Sequence, residues 1–248
     1  MRKVSKLVWL SFLSIFFAYG ATAQTAVFSD SFSDGKIDPI LWAKPGWATL
    51  KSQENSGHLR IFNNPTNTTS SQYGGLVANF ARKYNKGDAF SVYAKVRVPH
   101  IIPPNPGGPI TNGFEVGIGL FQSMTLANNI ELTVRDTQSN RQFGIYYYSE
   151  SLSKTQYWSF PAPTNISVFK LKMTYSCGTD NVGFYWAPPS SNSWTKIIKF
   201  IKMADLFGPS ASKVMTPYVT SSVEKMQISR DMNVWLDDFM AVYVNKPL

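Results

Sequence analysis

The feature that most constrains the fold of this chain is the alternation of apolar and polar residues within short segments. In residues 90–98 the even positions are all apolar, whereas the odd positions carry Ser, Tyr, Lys and Arg. Residues 114–121 and 130–134 repeat this alternation. Because successive side chains of a β-strand point to opposite faces, each segment predicts a strand with one buried face.

Similar runs recur through most of the chain, and turn-forming residues separate them. Many short strands with almost no helical periodicity predict an all-β protein, a two-sheet antiparallel β-sandwich of the jelly-roll kind. Residues 204–207, before Gly208 and Pro209, predict a single helical turn, and the Pro- and Gly-rich residues 99–113 predict a surface loop. The further predicted strands are residues 143–148, 168–175, 182–186, 195–200, 218–221 and 232–244.

The first residues have the pattern of an export signal. Three cations in residues 2–6 precede the apolar run 7–19, and Ala21-Thr22-Ala23 supplies the small residues of a cleavage site. The run is shorter than the ~20 residues of a bilayer span. We therefore predict a signal peptide over residues 1–23 and a single exported domain over 24–248, with no integral membrane segment after cleavage. This domain would be secreted, periplasmic or extracellular.

Composition excludes several classes of function. The 248 residues include one cysteine and two histidines, so neither a disulfide framework nor a His/Cys zinc site is expected. Cys177 is predicted to be a packed thiol. The net charge of +9 falls to +6 without the leader, and the spaced Lys196, Lys199 and Lys202 carry no nucleic-acid motif. No nucleic-acid partner is expected.

Three segments carry a resemblance to a known family. FSDSFSDGKIDPILW (28–42), with Gly57, Leu59 and Ile61 after it, resembles the start of concanavalin A-like lectin/glucanase jelly rolls. WLDDFMAVYV (235–244) resembles their closing strand, and VGFYWAPPSSNSWTKI (182–197) is similar to the hairpin before it. The resemblance implies that the first and last strands lie together, and that a concave sheet face binds polysaccharide.

The polar positions of the alternating strands are the candidate site. If the hairpin between Gly117 and Thr133 turns near residue 125, Glu115 lies opposite Arg135 and Glu131 opposite Gly119 on one polar face. Aromatic rings and charged groups on such a face suit sugars, although an ordinary solvated sheet face is an open alternative. The candidate ligand-binding residues are Tyr93, Lys95, Arg97, Glu115, Glu131, Arg135, Tyr146, Tyr148, Trp158 and Tyr185.

The sequence favours binding over catalysis. Glucanases of the family carry an E-x-D-x-E or E-x-D-x-x-E strand, which this chain lacks. The predicted register displaces Glu115 and Glu131 by four residues, or ~13 Å, whereas paired glycosidase carboxylates stand about 5–9.5 Å apart. We therefore expect a non-catalytic, lectin-like domain with a glycan partner. A lyase with a Tyr or His base, another glycoside hydrolase and a structural or adhesion protein stay open, as do the identity of the glycan and the oligomeric state.

A calcium ion is the one cofactor that the resemblance implies. Asp237 on the closing strand and Asp30 on the first would supply oxygen ligands, which Ca²⁺ prefers. The alternative is that Asp30, Asp34 and Asp38 cap turns through their carboxylates.

Overall fold

The strands form two antiparallel sheets. The computed structural model describes residues 24–62, 71–84, 87–98, 113–121, 128–137, 140–150, 152–198, 201–207, 214–224 and 234–245. The predicted leader lies outside these ranges, as do residues 99–112 of the predicted loop. The elements are β1 (Gln24–Asp30), β2 (Trp42–Ala43), β3 (Lys51–Asn55), β4 (His58–Phe62), β5 (Gln72–Ala78), β6 (Arg82–Lys83), β7 (Ala89–Arg97), β8 (Gly113–Phe121), β9 (Asn128–Thr137), β10 (Arg141–Ser149), β11 (Lys154–Pro161), β12 (Val168–Ser176), β13 (Asn181–Ala187), β14 (Thr195–Lys196), β15 (Ile201–Lys202), α1 (Met203–Phe207), β16 (Val214–Glu224) and β17 (Val234–Asn245).

Sheet I has the strand order β14-β13-β12-β7-β17-β4-β3, with β1 paired to β17 and β15 to β13. Sheet II has the order β11-β10-β9-β8-β16-β5-β2, with β6 paired to β16. Every strand pairing is antiparallel, so the predicted two-sheet antiparallel sandwich is confirmed.

The core lies between the two sheets, where the alternation of the sequence predicted it. In β7 the even-numbered residues are buried and the odd-numbered residues are partly exposed. Val92 and Val96 of sheet I and Ile118 of sheet II have no exposed surface. Each large apolar side chain removed from water in this way stabilises the fold by roughly 1.5–3 kcal/mol.

The first and last strands are neighbours, as the resemblance implied. β1 pairs along its length with β17, for example Phe28 opposite Ala241. The ring of Phe28 packs edge-on against Trp42 at 5.1 Å between centroids and against Phe239 at 5.9 Å. A bulge between Asp237 and Met240 interrupts the pairing of β17 with β7.

Two local predictions have different outcomes. The predicted helical turn is confirmed as α1, where the amide of Ala204 donates to a carboxylate oxygen of Asp180 at 2.8 Å. Within the predicted strand 195–200, Thr195 and Lys196 form β14 and pair with β13, whereas residues 199–200 lie outside the described residues. Among the described residues, no helix combines the length and apolar character needed to cross a bilayer.

Candidate functional site

A row of small residues crosses the outward face of sheet II. Each member pairs directly with the next across five successive strand pairings. Because none carries a long side chain, the row forms the floor of a groove that runs across the strands. This small-residue row consists of Ser159, Gly144, Thr133, Gly117, Thr220 and Gly75.

Larger side chains stand on both sides of this floor. The first wall lies two residues along the strands in one direction and contains Arg135, Glu115, Ser222 and Tyr73. The second wall lies two residues in the other direction and contains Tyr157, Tyr146, Glu131 and Tyr218. Two residues of strand span about 7 Å, so the walls stand on the order of 13 Å apart at the backbone.

Two aromatic side chains close the ends of the groove. A Cβ at Gly144 would lie 2.5 Å from the Tyr157 hydroxyl, so the tyrosine crosses the row there. At the other end the Trp47 ring packs on Gly75, where a Cβ would lie 3.0 Å from the indole. The enclosed volume is about 630 Å³, within the range of small-ligand sites.

The Glu131 carboxyl lies at the foot of the second wall. It accepts a hydrogen bond from the Tyr218 hydroxyl at 2.7 Å, and the Tyr218 side chain is fully buried. Burial raises the pKa of Glu131, and so does the neighbouring Glu115 carboxylate, whereas hydrogen bonds from Tyr218 and Thr220 lower it; together they move the pKa from 4.5 to about 7. Glu131 can therefore be protonated near neutral pH and can donate as well as accept a hydrogen bond.

Glu115 on the first wall is held by two partners. Arg135 Nη1 lies 3.6 Å from Glu115 Oε1, and the Tyr157 hydroxyl donates to the same oxygen at 3.2 Å. Burial and the Glu115 carboxylate raise the pKa of Tyr157, so this hydroxyl stays protonated. The first wall thus presents a fixed, charge-compensated group of polar atoms.

Rings and an unpaired amide complete the groove. Tyr73 and Tyr157 are exposed to 53% and 38%, so part of each aromatic side chain is accessible to a ligand. The amide oxygen of Asn129 is buried without a protein partner and lines the same space. A buried acceptor of this kind costs stability unless a ligand or water supplies a donor.

The structure brings five of the predicted site residues together. The register that places Glu115 opposite Arg135 and Glu131 opposite Gly119 is confirmed. The residues that line the groove are Glu115, Glu131, Arg135, Tyr146 and Tyr148.

The expectation that Tyr93, Lys95, Arg97 and Tyr185 would join this face is wrong. They lie on β7 and β13 in sheet I, on its outer face. The odd and even positions of a strand show which residues share a face of that strand, but not which sheet the strand joins.

Trp158 does not belong to the groove. On β11 it has the same parity as Phe160, and both pack against the core, with the Trp158 ring 5.4 Å from that of Tyr147. Its neighbour Tyr157 points into the groove instead. The alternation of Tyr157 and Ser159 with the larger apolar Trp158 and Phe160 was the sequence signal for this orientation.

Sequence reasoning missed several residues of the groove. Thr220 and Ser222 lie on β16 beside β8, and Tyr73 lies on β5 beside β16; both pairings join distant segments of the chain. Trp47 lies outside the strands, and no local pattern indicated its position. The remaining missed residues are Asn129, Thr133 and Tyr157.

The two carboxylates expected at a calcium site are both engaged with protein groups. Asp30 accepts from the amide of Phe32 at 2.7 Å and from the indole of Trp42 at 2.6 Å, and Asp237 lies 3.2 Å from the Lys95 ammonium. Within the described ranges, no group of three or more His, Cys, Asp or Glu side chains could hold a metal ion. Calcium binding at these residues stays a prediction.

Capping of turns explains the acidic residues near β1. Asp30, Asp34 and Asp38 each accept from the amide two residues further along, at 2.7, 3.3 and 2.7 Å. The alternative of turn capping is therefore confirmed.

Cys177 is half-buried against the core, as predicted. Burial and the nearby Asp88 carboxylate raise the pKa of its thiol to about 12. The thiolate is therefore scarce at neutral pH, and a nucleophilic role is not supported.

Comparisons with solved structures show the fold. The winged bean acidic lectin, in complex with methyl-α-D-galactose, superposes with a TM-score of 0.57 and 11% identity over 90% of this chain and 99% of its own. The endo-1,3-β-glucanase of Streptomyces sioyaensis superposes with a TM-score of 0.57 and 10% identity, over 93% of this chain and 99% of its own. The Bauhinia forficata lectin, in complex with GalNAc, superposes with a TM-score of 0.52 and 10% identity, over 90% of this chain and 100% of its own.

This chain therefore has the concanavalin A-like lectin/glucanase fold, as the sequence resemblance implied. Lectins and glycoside hydrolases share that fold, so it does not by itself distinguish binding from hydrolysis. No family model matches the chain, and neither does any curated protein sequence.

Proposed function

We propose that this protein binds a segment of a neutral polysaccharide in the groove of sheet II and does not cleave it. The observation that carries the proposal is the groove itself, with accessible tyrosine rings above a floor of small residues. Flat aromatic rings pack against the apolar faces of pyranose rings, and the polar groups between them can bond sugar hydroxyls.

The charges of the groove favour a neutral ligand. Arg135 lies beside Glu115, and Glu131 is uncharged below a pH of about 7. An anionic sugar would therefore meet no surplus of positive charge in the groove, and above this pH it would meet a second carboxylate. A lyase is also disfavoured, because burial raises the pKa of Tyr157, whereas a tyrosine base requires a lowered one.

A glycoside hydrolase is the second candidate function. Glu115 and Glu131 stand on opposite walls, so a sugar on the small-residue row would lie between them. A carboxylic acid with a pKa of about 7 beside a second carboxylate is the pairing that glycosidases use. The argument against a hydrolase is that Glu115 and Glu131 are four residues, or ~13 Å, apart along the paired strands, farther than paired glycosidase carboxylates stand.

Affinity electrophoresis tests both candidates. The protein is run in native gels that contain neutral β-glucan or xylan, and the gel is then stained for polysaccharide. We expect retardation without a cleared zone, and Tyr157→Ala should abolish the retardation, whereas the matched Tyr93→Ala on sheet I should not. A cleared zone that disappears in Glu131→Gln would establish the hydrolase, and unchanged mobility in every gel would contradict sugar binding in this groove.

A further inference from the structure

The outer face of sheet I carries an excess of cations. Between β4 and β14 six basic side chains occupy the outward positions of the strands, and two carboxylates, Asp237 and Asp238, share the face. Both carboxylates lie beside Lys95, at 3.2 and 3.9 Å from its ammonium. The six cations are Arg60, Lys95, Arg97, Lys170, Lys172 and Lys196.

These cations are placed close together by the strand register. Lys95 and Lys170 are directly opposite each other on β7 and β12, and Lys172 follows two residues along. Like charges directly opposite on neighbouring strands destabilise a sheet. Lys95 is paired with Asp237, and the Lys170 ammonium donates to the Ser191 carbonyl oxygen at 3.0 Å, so the repulsion is partly offset. A bound anion would offset it further.

Aromatic rings lie between the cations. The Lys172 ammonium lies 4.2 Å from the ring centre of Trp194 and 5.0 Å from that of Tyr185, and Tyr93 meets Trp194 edge-on. Burial lowers the pKa of Lys172. Rings and ammonium groups are thus interleaved on a single surface.

The cations extend across the sheet and not along one strand. From Arg60 on β4 to Lys196 on β14 the path crosses five strand spacings, or about 24 Å. A surface of this length suits an extended polyanion better than a small anion, because several charges of one chain can be met at once.

We propose that this outer face is a second binding surface, which takes a linear polysaccharide that carries carboxylate or sulfate groups. The charge of the face complements such a chain, and the rings of Tyr93 and Trp194 offer apolar surface to its sugar rings. The proposal does not depend on the groove of sheet II, which lies on the other sheet and has compensated charges.

Binding is measured for the protein in gels that contain polygalacturonate for carboxylate, dextran sulfate for sulfate, or unmodified dextran. We expect retardation in at least one of the two anionic gels, none in dextran, and a loss of retardation as salt rises, because exposed charges are screened over about 10 Å at 0.1 M. Whichever anionic gel retards the protein identifies the charged group.

Two double variants separate a specific surface from net charge. The double variant Lys170→Gln with Lys172→Gln should bind the anionic polysaccharide about tenfold more weakly, because each substitution removes about one charge-pair contact with it. Lys36→Gln with Lys44→Gln removes the same charge from exposed loop positions and should change binding little. Equal losses in both variants would overturn the proposal, since binding would then depend only on net charge.

Three further outcomes complete the test. Lys196→Gln, at an exposed position, should weaken binding of the anionic polysaccharide without affecting folding. This variant tests the proposal even if the double variant misfolds. Tyr157→Ala should keep full anion binding. A loss of anion binding in this variant would place the anion in the groove of sheet II and overturn the proposal. Stronger binding to vesicles of anionic lipid or to duplex DNA than to either polysaccharide would also overturn it.

Discussion

At the scale of single residues, the Glu131 carboxyl is the group whose chemistry depends most on its surroundings. Tyr218 donates to it and would lower its pKa, but burial outweighs this hydrogen bond and raises the pKa to about 7. An ordinary glutamate would be charged throughout the neutral range. This side chain therefore links the pH to both the stability of the fold and the polarity of the groove.

The raised pKa predicts how stability varies with pH. In the unfolded chain Glu131 loses its proton near 4.5, whereas in the fold it keeps it until about 7. Its contribution to stability is therefore complete below pH 4.5 and is lost as the pH rises to 7. Glu131→Gln should remove this slope and be up to about 3 kcal/mol more stable than the wild type at pH 8. Urea unfolding at pH 4.5 and 8 measures this, with the exposed Glu150→Gln as the control.

A second residue-scale prediction concerns the buried ion pair of Arg141 and Asp136. Both side chains are 2% exposed, and Arg141 Nε donates to Asp136 Oδ2 at 2.9 Å. Arg141→Met leaves the carboxylate buried without its cation and should cost about 3–5 kcal/mol. Urea unfolding measures this cost, and Lys44→Met at an exposed position is the control. Adding Asp136→Asn should restore part of the stability, and no recovery would contradict the explanation.

At the scale of elements, β8, β9 and β10 form the groove because small residues recur at fixed positions on their outward face. Gly117 and Gly144 lie in the same row but meet different neighbours. A Cβ at Gly117 would lie 2.0 Å from the Leu132 carbonyl oxygen, which belongs to the paired strand. A Cβ at Gly144 would meet the hydroxyl groups of Tyr157 and Thr133, at the ends of side chains.

This contrast separates stability from binding. Gly117→Ala should destabilise the fold by a few kcal/mol, because strand backbones cannot separate without loss of hydrogen bonds. Gly144→Ala should cost roughly 1 kcal/mol and displace Tyr157, so that retardation by neutral glycan weakens. Thermal unfolding and affinity gels distinguish the two effects, and Gly46→Ala, where a Cβ would have no neighbour within 4 Å, is the control. Equal stability of the two groove variants would contradict the assignment.

At the scale of the whole molecule, the two outer faces of the sandwich have different electrostatics. The groove of sheet II has compensated charges, whereas the outer face of sheet I between β4 and β14 has six cations and two carboxylates among the described residues. On the two proposals above, a single molecule would hold two different polymers at once.

The two surfaces should therefore respond differently to salt. Raising NaCl from about 0.05 M to 0.5 M should abolish retardation by the anionic polysaccharide and leave retardation by the neutral glycan nearly unchanged. Far-UV circular dichroism of the protein at 0.5 M NaCl controls for loss of the fold at high salt. A neutral-glycan interaction that weakens in parallel would contradict compensated charge in the groove.

Much of the fold could be predicted from local periodicity. Alternation over 90–98 and 114–121 predicted both ends of β7 and β8 to within one residue. It also predicted which of their side chains are buried, because those side chains occupy every second position. The strands β3, β5 and β11 were not predicted, because polar or glycine residues at inward or central positions blur their alternation.

The sequence by itself determined which side chains share one face of a strand, because the period of two is a local property of the extended backbone. It thereby identified Glu115, Glu131 and Arg135, whose strands form one hairpin. Only the tertiary structure decided that β7 lies in sheet I and that β16 lies beside β8. Those pairings join segments distant along the chain, and their free energy comes from burial of both inner faces, which no local pattern encodes.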